Sequence, residues 1–188
     1  MAIIGGRTHT LDQIRTVGEL GYPFAEIDLY RPEEVETQID DLLALKDRYG
    51  IYYLGHFPNE GDPRDPAALE ARFLPKMHAL MKLARRLDIR KGTMHFWVDR
   101  RWAAPALIEA KTRLLAVLVS YAGEHGIELC LENLTSRHDS FAPVFAAVPA
   151  LRMTLDIGHG ELLSSTNTAF GFIDHLFDRI AHVHVHDN

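Results

Sequence analysis

The sequence predicts an α/β fold, a parallel (β/α)8 TIM barrel truncated after its seventh strand. Three observations predict it. Short apolar runs alternate with longer segments of helical period throughout the 188 residues, the pattern of strand–helix units around a parallel sheet. Along the runs one side-chain parity is apolar and the other is polar towards the C-terminal end, whereas an open sheet covered on both faces wants apolar residues on both. No Gly-rich phosphate loop follows the first run, because Ile3-Ile4-Gly5-Gly6-Arg7-Thr8 lacks G-x-G-x-x-G spacing.

The elements follow in order. Candidate strands lie at 2–5, 24–29, 51–57, 92–98, 127–134, 152–158 and 180–186. Thr10 and Gln13 read as a capping box that opens the first helix, which stops at Gly21. Pro32 suits the first turn of the second, whose apolar stripe is Val35, Ile39, Leu42 and Leu43 and which closes near Gly50. Asp65-Pro66 opens the third helix, with Leu69, Phe73, Met77, Leu80 and Ala84 on one face, and Pro105 opens the fourth, which ends at Gly126. Shorter helical segments are expected at 141–148 and 168–177.

Parity carries the barrel reading. Ala25, Ile27 and Leu29 oppose Glu26 and Asp28; Ile127, Leu129 and Leu131 oppose Glu128, Cys130 and Glu132. Met153, Leu155 and Ile157 oppose Thr154 and Asp156, and Ala181, Val183 and Val185 oppose His182, His184 and His186. The apolar set faces the helices and the other set faces the barrel interior. With no linker or composition break, residues 1–188 are expected to form a single barrel domain lacking the eighth strand and final helices. A complete barrel commonly takes about 250 residues. Truncation is the preferred expectation, since an open barrel leaves two unpaired strand edges.

Composition narrows the function. A formal net charge of −6 and only small basic clusters, Arg90-Lys91 and Arg100-Arg101, disfavour a nucleic-acid partner. No apolar stretch suits a membrane span, and the N-terminus has no signal-peptide pattern. The lone Cys130 fits a reducing compartment, so the expected location is cytoplasmic. A homo-oligomer stays open.

Five strand ends offer metal-type donors: His56, His95, Glu132, the pair Asp156 and His159, and His184. Imidazoles and carboxylates from separate strands converge on a barrel axis, as zinc or manganese requires. Any one histidine is more often a hydrogen-bonded core residue than a ligand. Interior carboxylates such as Glu132 and Asp156 are harder to dismiss, because an ionised carboxylate there needs a cation. No candidate strand carries an Arg or Lys at the matching depth. His186, Asp187 and Glu26 are candidates to hold a ligand side chain in place by hydrogen bonding or to contact substrate. His182 reads as a deeper hydrogen-bonding layer, His9 as a loop residue near the mouth, and His78, His125 and His175 as helix residues.

The ordered set resembles the xylose isomerase-like TIM barrels, the superfamily that also contains endonuclease IV. It comprises a His after the third and fourth strands, Glu132-Asn133 on the fifth, Asp156-x-x-His159 on the sixth and His184-x-His186-Asp187-Asn188 on the seventh. The resemblance implies that His56, His95 and Glu132 hold one ion. It implies that Glu132, Asp156 and His184 hold a second, and that His159 holds a third or meets substrate. The family's later ligands, an Asp-x-His past the seventh strand and a Glu on the eighth, have no counterpart in these residues. One to three divalent ions, zinc or manganese, are therefore expected.

The leading functional expectation is a metal-dependent isomerase or epimerase acting on a small polyhydroxylated or phosphorylated substrate, with Glu132 and His159 as catalytic residues. The alternatives are an endonuclease IV-type trinuclear zinc phosphodiesterase and a non-catalytic barrel fragment.

Overall fold

Period and parity require strands with one apolar face, and the structure builds them into one curled sheet. In the computed structural model, which describes residues 2–186, seven parallel strands pair in sequence order from β1 to β7. They are β1 (Gly6–Thr8), β2 (Phe24–Asp28), β3 (Tyr52–His56), β4 (Lys91–Met94), β5 (Glu128–Glu132), β6 (Arg152–Asp156) and β7 (Ile180–His184). Sequential order with helices between successive strands is the barrel architecture expected from parity.

The connecting helices start where the chain supplies caps. Helix α1 (Leu11–Glu19) is capped by Thr10 Oγ1, which accepts from the Gln13 N–H, while the Gln13 side chain reaches back to the His9 N–H. Helix α2 (Pro32–Tyr49) begins on proline and closes at Gly50, whose φ of 63° suits a residue without Cβ. The third helical segment is α3 (Pro66–Ala68), a π turn (Leu69–Phe73) and α4 (Leu74–Arg86) in succession. Helix α5 (Pro105–Glu124) and α6 (His138–Ala147) follow, then the short α7 (Ile157–Glu161) directly off β6, and α8 (Ala169–Leu176).

Three sequence expectations shift. The first strand is Gly6–Thr8 rather than 2–5, because the polar Arg7 and Thr8 pair with Glu26 and Ile27 of β2. Arg7 therefore enters the interior, and the expectation that no strand carries a cation at depth is corrected: its guanidinium lies 2.5 Å from Asp28. The sixth strand also ends earlier, since Asp156 caps a helix at once.

Between the sheet and the helices lies one hydrophobic core, including Ile27, Leu29, Ile39, Leu42, Met77, Leu80, Leu115, Leu129, Leu131, Phe141, Leu155 and Phe172. The outer side of β7 is different. Val183 and Val185 face outward as parity predicts, yet both are exposed, since no helix follows β7 among the described residues. No described helix is long and apolar enough to cross a membrane.

Candidate metal centre

The parallel register aligns the C-terminal ends of the strands. Asp28 pairs with His56, and Asp156 with His184, so donors from separate strands meet at one level. Glu132, at the last position of β5, is the hub. It is almost fully buried, and Oε2 has His95 Nε2 at 3.2 Å, His184 Nδ1 at 3.3 Å and His56 Nε2 at 3.4 Å. Oε1 faces His159 Nδ1 at 3.0 Å.

The opposite nitrogens of these rings are already committed. His95 Nδ1 bonds Asn59 Oδ1 at 2.7 Å, His56 Nδ1 bonds the Phe57 carbonyl at 3.2 Å, and His184 Nε2 bonds Glu26 Oε2 at 2.9 Å. Oxygen acceptors require the N–H on those sides. In a neutral ring the other nitrogen then presents a lone pair, and a lone pair aimed at a carboxylate oxygen repels it unless a cation lies near. Accordingly His95 Nε2 and Glu132 Oε2 are both buried without a hydrogen-bond partner among the described residues. This donor set fits a divalent ion: imidazoles oriented by outer acceptors and converging on a carboxylate are the usual architecture of histidine metal sites.

Asp156 is fixed from both sides. Its N–H donates to Asn133 Oδ1 at 2.7 Å, and its carbonyl accepts from Asn133 Nδ2 at 2.8 Å. Oδ1 accepts the His159 N–H at the start of α7, which leaves Oδ2 towards His186 at 3.0 Å, His159 at 3.5 Å and His184 at 3.7 Å. Among the described residues, four triplets of donors therefore have their atoms within 4.8 Å of one another: His56–Glu132–His184, His95–Glu132–His159, Asp156–His159–His186 and Glu26–His182–His184.

The protonation states follow from this crowding. Burial pushes the Glu132 carboxyl up, but contacts with His159, His184, His56 and His95 outweigh it and hold the group well below the usual carboxylate range. Burial likewise opposes ionisation of Glu26, yet His182 and His184 keep it at about 2. Burial lowers His184, and its contacts with the Asp156, Glu132 and Glu26 carboxylates override it, raising it to about 11. In the metal-free protein this imidazolium supplies the cation that the carboxylates demand. Burial lowers His56, which favours the neutral ring a metal needs, while the Glu132 contact raises His159.

All six sequence-derived ligand candidates, His56, His95, Glu132, Asp156, His159 and His184, are thus brought together. His186 reaches Asp156, and Glu26 bonds both His182 and His184. Asp187 lies outside the described residues. His9 lies at the mouth, 2.9 Å from Asp28. His78 stacks on Tyr121, and His175 on His138, away from the site. Sequence reasoning passed over Asn59, and named Asn133 only as part of the Glu132-Asn133 motif, because their roles are contacts between segments distant in the chain. Beside His95 a cleft of about 530 Å³ is walled by Asn59, Asp62, Arg64, Trp97 and Leu134.

Known proteins share this arrangement of strands. The family model for xylose isomerase-like TIM barrels matches residues 14–188. No curated protein sequence matches the chain. Among solved structures, a D-tagatose 3-epimerase-like protein superposes with a TM-score of 0.80 at 20% identity, covering 98% of this chain and 77% of that one. A protein from Thermus thermophilus soaked with zinc chloride gives 0.77 at 20%, over 98% and 78%. An L-ribulose 3-epimerase gives 0.77 at 15%, over 97% and 69%. At these identities the likeness is one of fold.

Proposed function

We propose that this chain, which belongs to the xylose isomerase-like TIM barrel family, works as a divalent-metal-dependent isomerase or epimerase of small sugars or sugar phosphates. The observation that carries the reading is Glu132 Oε2, buried among three imidazole nitrogens at 3.2–3.4 Å with no hydrogen-bond partner among the described residues. Sugar 3-epimerases among the structural neighbours support the substrate class.

His56, His95, Glu132, Asp156, His159 and His184 would hold one or more zinc or manganese ions. Such an ion, when bound, polarises a carbonyl and acidifies the adjacent C–H. The chain's own groups do the rest. Glu132 Oε1 and His159 Nδ1, 3.0 Å apart, form the pair placed to hold and move a proton. His159 is the more open of the two and faces the mouth, whereas Glu132 is closed off beneath it. Asn133 and the α7 cap hold Asp156 so that one oxygen faces inward. Trp97 and Leu134 give the adjoining cleft apolar walls, and Asn59 and Arg64 give it polar ones. The buried thiol of Cys130, pushed up to about 12 by burial, takes no part and agrees with a cytoplasmic setting.

Deuterium wash-in tests the reading. The manganese- or zinc-loaded protein, incubated in D₂O with ketopentoses and ketohexoses and their phosphates, should place deuterium on the carbon next to the carbonyl. Absence of exchange across the panel would remove the proposal.

A second reading, phosphodiester hydrolysis of the endonuclease IV type, draws support from the three donor triplets around Glu132 and Asp156. It predicts three zinc ions per chain and nicking of abasic DNA. One bound ion with no nicking eliminates it.

A further inference from the structure

A second ionic cluster lies in the cleft wall, where Glu60 lines the cleft and Lys111 is buried against it. Lys111, on α5, is fully buried, and its Nζ lies 2.6 Å from Glu60 Oε2 and 3.4 Å from the Pro63 carbonyl. The ammonium also sits over the rings of Phe96, at 4.5 Å, and Trp97, at 5.6 Å. Glu60 Oε1 accepts the Trp97 N–H at 2.6 Å. One lysine and one glutamate thus clamp the loop after β3 onto the segment after β4.

The ion pair is expensive to build. Burial pulls the Lys111 amine below, and the Glu60 carboxyl above, its ordinary range. A pair of this kind breaks even at best against apolar residues of the same shape. What it provides is a fixed geometry for residues 57–65, which have no helix or strand of their own. The residue before Glu60 is Asn59, the acceptor for His95 Nδ1 at 2.7 Å, and the far side of that ring faces Glu132 Oε2 at 3.2 Å.

We propose that Lys111 is a positioning residue for His95: through Glu60 it fixes the loop that presents Asn59, and Asn59 sets the tautomer and direction of the His95 ring. The role of that ring as a ligand rests on the metal reading above; the relay that sets its tautomer does not. Lys111 and Glu60 contact each other, the Pro63 carbonyl and the Trp97 N–H, so they hold both the loop that bears Asn59 and the backbone two residues beyond His95. Among the described residues neither touches the centre's carboxylates directly.

The test uses Lys111→Met, Asn59→Ala and the double variant. Zinc affinity is measured by competition titration, and the His95 tautomer by long-range ¹H–¹⁵N correlation in metal-free protein. Each single change should weaken zinc binding by about tenfold, the low end for losing a group that orients a ligand histidine. The double variant should lose no more than the worse single, because both act on one ring. In Lys111→Met the Nδ1–H form of His95 should give way to a mixture of tautomers. A merely structural clamp would lower thermal stability, leave the tautomer intact and give losses that multiply; either of the last two results overturns the proposal. If Lys111→Met does not melt cooperatively, Glu60→Gln replaces it, since glutamine still accepts from Trp97 while losing the charge pairing. Should the wild type bind no zinc, the metal reading fails, and the tautomer measurement alone decides the relay.

Discussion

His184 Nε2 lies 2.9 Å from Glu26 Oε2, a contact between β7 and β2 across the barrel interior. The same ring turns Nδ1 to Glu132 Oε2 at 3.3 Å, so one histidine spans two buried carboxylates. Glu26 also takes His182 at 2.9 Å and is the anchor for the inward face of the last strand.

This contact predicts how the stability of the metal-free protein depends on pH. Glu26 falls from 4.5 to about 2 in the fold, because its two histidines outweigh burial. Its contribution is therefore present above pH 4.5 and lost as pH drops towards 2. His184 rises from 6.5 to about 11, so its contribution is complete below 6.5 and declines as pH climbs towards 11. The urea midpoint should peak between these windows, and Glu26→Gln should flatten both limbs. Added zinc should flatten the alkaline limb alone, because metal ligation favours the unprotonated ring. A midpoint independent of pH on both sides would contradict the assignment.

Gly158 predicts a separable loss of metal. A Cβ at this position would stand 2.5 Å from His186 Cε1 and 2.7 Å from Nε2. Gly158→Ala should push the ring away from Asp156 Oδ2, 3.0 Å distant in the fold. Alanine is the better helix former by about 1 kcal/mol, so α7 itself should not suffer. Elemental analysis is expected to show less metal per chain, with the His56–Glu132–His184 group still filled. Unchanged stoichiometry and affinity would mean that the His186 contact does not steady Asp156 for metal.

Asn133 carries the backbone junction between β5 and β6. Its amide satisfies both the N–H and the carbonyl of Asp156, at 2.7 and 2.8 Å, and the residue is completely buried. Asn133→Ala leaves two buried backbone groups without partners, at a cost of about 2–4 kcal/mol. Asn133→Asp should also destabilise, because a carboxylate cannot donate to the Asp156 carbonyl. Chemical denaturation measures both. A loss under about 0.5 kcal/mol for Asn133→Ala would show that water replaces the amide.

Much of this centre was legible in the one-dimensional pattern. Alternating parity in β2, β5, β6 and β7 determined which residues look inward, and a strand-end position determined which of those reach the mouth. Parity and position together thus name Glu132, Asp156 and His184, while strand-end position names His56 and His95 and spacing to Asp156 names His159. Local chemistry also sufficed for Thr10, Pro32, Gly50 and Pro105, whose effects act within one helical turn.

Other features depend on pairs far apart in the chain, and only the tertiary structure decided them. Arg7 belongs to β1 because pairing with Glu26 outweighs the apolar run that precedes it. Asn59 looks like an ordinary loop residue, and Asn133 is only a motif partner of Glu132, until the fold sets a ring or a backbone against them. Lys111 reads as a polar position on α5, and its burial makes sense only against Glu60. Periodicity reports the face a side chain occupies; its partner is set by the curl of the sheet, and hydrogen-bond geometry is then decided over distances of a few ångströms.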